Sequence, residues 1–394
     1  MIAFLDMLLT SLAAIIALPA LILFVEILCA LLYRRATVTP HGSRPRVAVL
    51  MPAHDEATGI WRSVQILVQQ LLPTDRLVVV ADNCADDTAS IAAAAGAEVI
   101  ERQDPTNRGK GFALDFGVRY LERDPPDVVI IADADCDFAA GAVDRLAREC
   151  QARSRPIQAL YLMLSPEGAG TRTRIAQFAW LVKNLVRPTG LLALGLPCHL
   201  MGSGMAFPWG SIRSAQLATG HIVEDLQLGL ELARKGEPPQ FCPDALVTSY
   251  FPKTEDGIRS QRTRWEHGHL GSILTDAPRL LLTGLRTADL SLIALALDLL
   301  VPPLALLVML AALNLLLDAA FAFASGRHAP LNVSSTTLAL VAVAVLLAWY
   351  RYGRQVLSLY TLASAPVYAL RKIPIYVGFL LSRQLDWVRS KRDP

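Results

Sequence analysis

The stretch VVIIADAD, residues 128–135, decides the fold of this chain. Its five leading residues are apolar and mostly β-branched, which favours a buried strand, and two carboxylates follow at once. Asp133 and Asp135 are two positions apart, so in extended backbone their side chains point the same way. A fully apolar strand is typical of a parallel sheet that is covered on both faces.

The segments before this stretch repeat the same alternation. Short runs with β-branched residues predict strands over residues 47–51, 77–81, 97–102 and 128–132, with helices beginning near residues 58, 85 and 109. This order predicts an α/β fold with a mostly parallel sheet and helices on both faces. In such sheets ligands bind beyond the carboxyl ends of the strands. One crevice is therefore expected to collect the polar residues that follow three of these strands: His54, Glu56, Asp82, Asp133 and Asp135.

The composition predicts a membrane protein. The 394 residues are 53% hydrophobic, and the mean hydropathy is +0.39. Apolar runs over residues 8–33, 290–317 and 333–350 each reach the roughly 18 to 20 residues that a membrane-crossing helix needs. The predicted division is an anchor in residues 1–35, the α/β domain in 36–275, an interfacial helix in 276–289, two transmembrane helices in 290–350 and an amphipathic or re-entrant basic segment in 351–394. A fourth span over residues 356–381 of this last segment is the alternative.

Charge and cysteine patterns predict where these parts lie. Basic residues flank the predicted α/β domain and occur throughout the C-terminal tail. The loop between the last two spans contains only Arg327 and His328 as basic residues. The positive-inside rule then places the α/β domain in the cytoplasm of a multi-pass inner-membrane protein. The six cysteines show no Cys-x-x-Cys spacing, which fits reduced thiols. A net charge of +2 without a basic stripe argues against nucleic acid as a partner.

Two acidic residues lie within the apolar runs that are predicted to cross the membrane. Glu26 and Asp298 lie inside predicted spans, where acids are functional candidates by default. Both are within one or two turns of an expected interface. We therefore predict that they snorkel toward water.

Two acidic pairs carry the candidate chemistry. Asp133 and Asp135 are oxygen ligands suited to Mg²⁺ or Mn²⁺ bridging a diphosphate, although a pair of loop acids after a strand is common without a metal. Glu224 and Asp225 precede a predicted amphipathic helix. There they either stabilise the helix dipole, by about 0.3 to 1 kcal/mol each, or supply a general base, which is worth about 10² to 10⁴ in rate.

Three further motifs have polar groups suited to a sugar and a diphosphate. Gln261 shares a helical face with Arg264 and Trp265, and a guanidinium matches phosphate while an indole offers a platform for a sugar ring. An interfacial helix with snorkelling arginines is the alternative. Lys110 opens a predicted helix, where amides and an ammonium hold anions, or is merely solvated there. Gly202 and Ser203 either line an acceptor site or form a turn.

The ordered series of these motifs resembles the membrane-bound family 2 glycosyltransferases, the superfamily that includes cellulose, chitin and hyaluronan synthases. The resemblance covers residues 47–273. It implies a GT-A fold and an inverting, Mg²⁺- or Mn²⁺-dependent hexosyl transfer from a nucleotide sugar. The residue types at three positions depart from the family pattern: His54-Asp55 stand in place of Tyr-Asn, and Ala81 stands in place of a second acid beside Asp82.

The resemblance also implies roles for individual residues. Donor-binding roles fall to His54, Glu56, Asp82, Lys110, Asp133, Gln261, Arg264 and Trp265. Asp135 with Asp133 would hold the metal, and Asp225, with Glu224 beside it, would be the general base. Gly202, Ser203 and Trp265 would contact the acceptor.

These implications define the expected function and its alternatives. The expected reaction transfers a sugar from a nucleotide-diphosphate sugar, expected to be UDP-linked, to a growing polysaccharide or a lipid-linked saccharide. The expected partners include membrane lipids and other polysaccharide-export components. The alternatives are transfer to a lipid acceptor such as a sphingolipid or polyprenyl phosphate, and a non-catalytic export subunit. The Lys110 loop lacks the Gly-x-x-x-x-Gly-Lys-Ser/Thr pattern, which disfavours an NTPase.

Overall fold

The computed structural model describes residues 1–34, 43–252 and 254–381, and within these ranges the side chains of residues 255, 256, 259 and 260 are not described. The chain forms two compact units. One unit is built on a sheet and comprises residues 35–166 and 196–265 as far as they are described. The other is helical and comprises residues 1–34, 167–195 and 266–381.

The sheet unit contains eight strands among its described residues. They are β1 (Val47–Ala53), β2 (Arg76–Asp82), β3 (Glu98–Arg102), β4 (Val128–Ile131), β5 (Asp137–Phe138), β6 (Ile157–Leu164), β7 (Met205–Pro208) and β8 (Gln240–Tyr250). Their order in the sheet is β3-β2-β1-β4-β7-β6-β8-β5. Strands β3, β2, β1 and β4 are parallel neighbours, while β7 and β5 run antiparallel to the strands beside them.

Helices cover the sheet between these strands. They are α2 (Ile60–Val68), α3 (Thr88–Ala94), α4 (Lys110–Leu121), α5 (Ala142–Arg153), α8 (Trp209–Arg213) and α9 (Glu224–Arg234). The apolar side chains of β1, β2 and β4 are fully buried, as their unbroken hydrophobic runs predict. The predicted α/β fold with a mostly parallel sheet is confirmed, and the carboxyl ends of β1, β2 and β4 lie side by side.

The helical unit contains the remaining helices. They are α1 (Ile2–Leu32), α6 (Thr171–Leu181), α7 (Arg187–Ala193), the greater part of α10 (Glu255–Thr287), α11 (Leu290–Leu299), α12 (Leu304–Ser325), α13 (Ala329–Ala348), α14 (Leu359–Ala363), α15 (Ala365–Leu370) and α16 (Ile373–Leu381). Five-residue π-helical turns follow α6 and α13. In the described part of the chain, three helical segments are long and apolar enough to cross a membrane: Ile2–Leu32, Leu304–Ser325 and Ala329–Gly353.

Two predicted boundaries are wrong. The second span begins at Leu304 and not at residue 290, because Pro302 and Pro303 interrupt the apolar run and leave a short helix, α11, before them. Residues 276–289 do not form a separate interfacial helix either. They continue α10, which passes through Pro278 and ends at Thr287.

The helical insertion between β6 and β7 is a feature that the sequence did not reveal. Helices α6 and α7 leave the sheet unit after β6 and pack into the core of the helical unit. Gly190 of α7 lies so close to α1 that an added Cβ would be 1.9 Å from the carbonyl oxygen of Glu26. Only a glycine permits this approach of the two backbones.

The insertion also explains the two acids that were predicted to snorkel. Glu26 and Asp298 are only 3% and 7% exposed. Arg187 of α7 donates from Nε to Glu26 at 2.7 Å and from Nη2 to the backbone oxygen of Asp298 at 2.6 Å, and it also pairs with the Asp298 carboxylate. The snorkelling prediction is therefore wrong, since both acids point inward to a shared arginine.

Candidate active site

The pairing of β4 with β7 brings the first acidic pair next to the glycine-rich turn. Ile131 lies opposite Met205, and the Gly204 amide donates to the carbonyl of Ile131 at 3.0 Å. Just beyond this pair, the backbone amide of Asp133 donates to Oγ of Ser203 at 3.1 Å. Residues that are far apart in sequence thus become neighbours because two strands run antiparallel.

Gly202 joins the two predicted acidic motifs. Its φ is +98°, in the region that favours glycine. A Cβ added there would lie 3.4 Å from Oδ2 of Asp225 and 3.9 Å from Oδ2 of Asp133. Both carboxylates therefore face the same small space beside the backbone of Gly202.

Lys110, the first residue of α4, is a cation close to both acidic motifs. Its Nζ lies 2.5 Å from Oδ1 of Asp133 and 4.0 Å from Oε1 of Glu224, and it donates to the carbonyl of Gly202 at 2.6 Å. Burial acts to lower the pKa of Lys110, but the charges of Asp133 and Glu224 outweigh it and raise the pKa above its usual range. Lys110 therefore stays charged.

Glu224 and Asp225 begin α9 but differ in their surroundings. Burial and the neighbouring charge of Asp225 raise the pKa of Glu224 to about 7, although Lys110 and Arg264 partly oppose this shift. Asp225 accepts a hydrogen bond from the Leu226 amide at Oδ1, at 2.8 Å, while its Oδ2 faces Gly202. Near neutral pH, Glu224 is thus poised between its protonated and ionised forms.

The Gln-x-x-Arg-Trp motif lies in the early turns of α10. The charge of Arg264 acts on Glu224, and its Nε is buried without a hydrogen-bond partner among the described residues. A buried guanidinium donor of this kind is suited to an anionic ligand. Gln261 and Trp265 are half-buried on the same helix, three residues before and one residue after Arg264.

A second group of predicted residues lies at the ends of β1 and β2. Nδ1 of His54 donates to the carbonyl of Asp82 at 2.7 Å. The carboxylate of Asp82 accepts from Arg102 at 2.7 Å and from Asn83 at 3.0 Å. Glu56 is buried, and its backbone amide donates to Oγ1 of Thr88 at 2.7 Å. These contacts fix the turns after both strands, beside the end of β4.

The residues after β4 fit a divalent cation. Ligand atoms of Asp133, Asp135 and Cys136 all lie within 4.8 Å of one another, and Asp135 is exposed. Burial and the neighbouring acids raise the pKa of the Cys136 thiol, so this sulfur stays protonated, and Mg²⁺ and Mn²⁺ prefer oxygen ligands in any case. The two carboxylates are therefore the better ligand set. Asp137 pairs with Arg62 at 2.5 Å.

A cavity of about 180 Å³ opens beside the acidic residues of α9. Lys110, Glu224 and Asp225 line it, and it extends along residues that sequence reasoning missed: Thr219, His221, Gln227, Glu231 and Arg234. Residues 224, 227, 231 and 234 recur at the three- and four-residue spacing of a single helix face. That spacing could have identified the polar face of α9.

Comparisons with known proteins agree with this geometry. The sequence model described as "Glycosyltransferase like family 2" matches residues 45–268, and the chain belongs to this family. The probable glycosyltransferase YdaM of Bacillus subtilis (strain 168) is 27% identical over an alignment of 252 residues, and the match covers 57% of this chain and 55% of that protein. The chain thus matches about half the length of this curated relative.

Among solved structures, the fold is similar to that of the mannosyltransferase PcManGT from Pyrobaculum calidifontis, which was determined in complex with GDP-Man and Mn²⁺. The TM-score is 0.58 at 19% identity, and the likeness covers 95% of this chain and 100% of that chain. This likeness shows the fold, which is of the GT-A type.

Proposed function

We propose that the protein transfers a sugar, with inversion, from a nucleoside-diphosphate sugar to a saccharide acceptor. The observation that carries this proposal is the meeting of Asp133, Asp225 and Lys110 around Gly202. This arrangement puts a candidate metal ligand, a free carboxylate oxygen and a fixed cation beside one small space. The family to which the chain belongs supports glycosyl transfer as the reaction class.

Asp225 is the general base in this proposal. Its Oδ2 takes the proton of an acceptor hydroxyl as that oxygen attacks the anomeric carbon. The new carbon–oxygen bond forms on the face opposite the diphosphate, and the bond from the anomeric carbon to the phosphate oxygen breaks, so the configuration inverts. Glu224 is less suited, because it is held beside Lys110 and is partly protonated near pH 7.

The basic residues hold the leaving group. The departing nucleoside diphosphate keeps the bonding electron pair and gains negative charge. Lys110 and the unpartnered Nε of Arg264 are placed to stabilise that charge, and Gln261 belongs to the same helix. His54, Glu56 and Asp82 would bind the nucleoside part of the donor at the ends of β1 and β2.

Asp133 and Asp135 would hold Mg²⁺ or Mn²⁺. When bound, the cation supplies positive charge that neutralises the diphosphate. The similar mannosyltransferase was determined with Mn²⁺, which supports this cofactor choice. The salt bridge between Asp133 and Lys110 keeps one oxygen of this pair oriented toward the site.

The finer assignments are a UDP-linked donor and a growing polysaccharide or lipid-linked saccharide as acceptor, bound by Gly202, Ser203 and Trp265. The three long apolar helices support a membrane location. We assign the sheet unit to the cytoplasmic face of the inner membrane on the distribution of basic residues. Transfer to a sphingolipid or polyprenyl phosphate is the second candidate, because the same site would serve either acceptor.

A donor and acceptor screen tests the proposal. Purified protein with Mn²⁺ is offered UDP-glucose, UDP-galactose, their N-acetylated forms and GDP-mannose, each with an oligosaccharide, a polyprenyl phosphate or a ceramide. We expect nucleotide release that Asp225→Asn abolishes and that Asp115→Asn preserves, since Asp115 forms an exposed pair with Arg119 on α4. Nucleotide release that survives in Asp225→Asn would overturn the base assignment. No release with any donor would favour a non-catalytic export subunit.

A further inference from the structure

The residue that follows Trp265 in α10 forms a buried ion pair with the C-terminal segment. Glu266 is 7% exposed, and its carboxylate pairs with the ammonium of Lys372, which is 9% exposed. Lys372 lies in the turn between α15 and α16, and its Nζ is also 5.6 Å from the centre of the Tyr368 ring. Lys372 is thus directed inward, where its ammonium meets the Glu266 carboxylate of α10.

The next residue of α10 contacts the same segment. Nε2 of His267 donates to the carbonyl of Ile375 at 2.9 Å. The ring of His267 also meets the ring of Phe379 edge to face, with centroids 5.5 Å apart. Two successive side chains of α10 are therefore held by residues 372–379.

These contacts fix the rotation of α10 about its own axis. Successive residues of an α-helix are about 100° apart, so Glu266 points about 200° away from Arg264. The ion pair therefore lies on the side of the helix opposite the guanidinium. A buried ion pair adds little net stability because desolvation offsets its attraction, but in some proteins such a pair selects one arrangement of its partners.

We propose that Lys372 is a positioning residue for the sugar transfer, and this inference rests on the proposed function. Through Glu266, Lys372 holds the angular setting of α10 and thereby the direction in which Arg264 and Trp265 project. The C-terminal segment is then part of the enzyme's working structure. A displacement of about 1 Å in a catalytic group can cost about 10²-fold in rate.

The test compares Lys372→Met, Lys372→Arg and the control Arg327→Met. Arg327 forms a more exposed ion pair with Asp6 in the same unit, and neither residue belongs to α10. The full-length protein in detergent is assayed for kcat and donor KM with the donor that the screen identifies, for melting temperature, and for amide hydrogen exchange in residues 257–270. The exchange measurement needs no turnover, so it remains informative if every donor proves inactive.

We expect Lys372→Met to lower kcat by about 10²-fold with a change of less than about threefold in donor KM. Exchange in residues 257–270 should become faster while exchange in β1–β4 is unchanged. Lys372→Arg should restore most of kcat, and Arg327→Met should match the native protein. Unchanged exchange in α10, or a kcat that falls only in proportion to lost folded protein, would overturn the inference. Inactivity of the native protein with all donors would instead contradict the proposed function.

Discussion

Glu224 and Asp225 show how adjacent carboxylates acquire different properties. Glu224 lies beside Lys110 within the influence of Arg264, and burial raises its pKa to about 7. One oxygen of Asp225 is held by the Leu226 amide and the other faces Gly202. The structure thus separates a buried, partly protonated acid from one whose Oδ2 faces Gly202, and the sequence alone could not assign these two conditions.

Replacing Glu224 by Gln should flatten the dependence of thermal stability on pH. Burial and the charge of Asp225 raise the pKa of Glu224 from 4.5 to about 7, so the folded state favours the protonated carboxyl. The stability that this proton contributes is complete below about pH 4.5 and is lost as the pH rises through about 7. The melting temperature of the native protein in detergent should therefore fall more steeply over this range than that of Glu224→Gln.

Glu98→Gln is the control of opposite sign. Partial burial acts to raise the pKa of Glu98, but hydrogen bonds from Arg76 and Tyr120 outweigh it and lower the pKa. The stability contributed by this carboxylate is present at neutral pH and is lost in acid. Glu98→Gln should melt earlier than the native protein near pH 7, and the difference should shrink at low pH. Equal pH profiles for the two variants would contradict both assignments.

The metal-dependent activity of two variants tests whether Asp135 or Asp137 is the metal ligand. Asp135 is exposed beside Asp133, whereas Asp137 is held by Arg62. Loss of a metal ligand removes several kcal/mol of charge stabilisation, so Asp135→Ala should lower Mn²⁺-dependent nucleotide release by about 10²-fold or more. Asp137→Ala should keep most of the activity in the same Mn²⁺ titration. The reverse ranking would show that the ligand set is shifted by two residues.

The elements of the sheet unit could be predicted because their hydrophobic patterns are local. The four strands β1 to β4 and the intervening helices all occur near the expected positions, and so does the helix after Glu224. Helix α10 was predicted only in part, since a boundary was predicted at residue 276, which lies inside the helix. The face of α9 that lines the cavity was missed, because a polar helix face usually meets only solvent.

Helix α10 carries the indole that we expect to serve the acceptor. Trp265→Ala should raise the acceptor KM about five- to tenfold, as the loss of a ring contact of about 1 kcal/mol predicts, with a smaller effect on donor KM. Trp61→Ala is the matched control, because Trp61 is 49% exposed on α2. Steady-state kinetics, with the concentration of each substrate varied in turn, give the acceptor KM and the donor KM. A donor KM that rises more than the acceptor KM would assign Trp265 to the donor.

At the scale of the whole molecule, the sequence predicted the membrane character but not the packing of the helices. The apolar runs identify the three long helices by composition. Residues 167–195 contain Arg172, Arg174 and Lys183, and nothing in their periodicity indicates that they join the helical unit. Arg187 was overlooked for the same reason, since its partners come from segments distant in the chain.

Arg187→Met should destabilise the helical unit strongly. The substitution leaves Glu26 and Asp298 buried without their shared cation, and removing one partner of a buried ion pair costs about 3 to 5 kcal/mol. Arg327→Met breaks a more exposed pair and should cost less than about 1 kcal/mol. Denaturant unfolding in detergent measures both changes. Similar losses for the two variants would show that the buried cluster is not a principal support of the fold.

Because the chain leaves the sheet unit between β6 and β7, truncation at the two termini cannot isolate that unit. Removing both ends leaves residues 167–195 in the middle, where Ile175, Phe178 and Val186 would lose the neighbours that cover them. A truncated protein would expose these apolar helical residues to water and should aggregate. A soluble fragment therefore also needs an internal deletion, in which a short polar linker replaces α6 and α7.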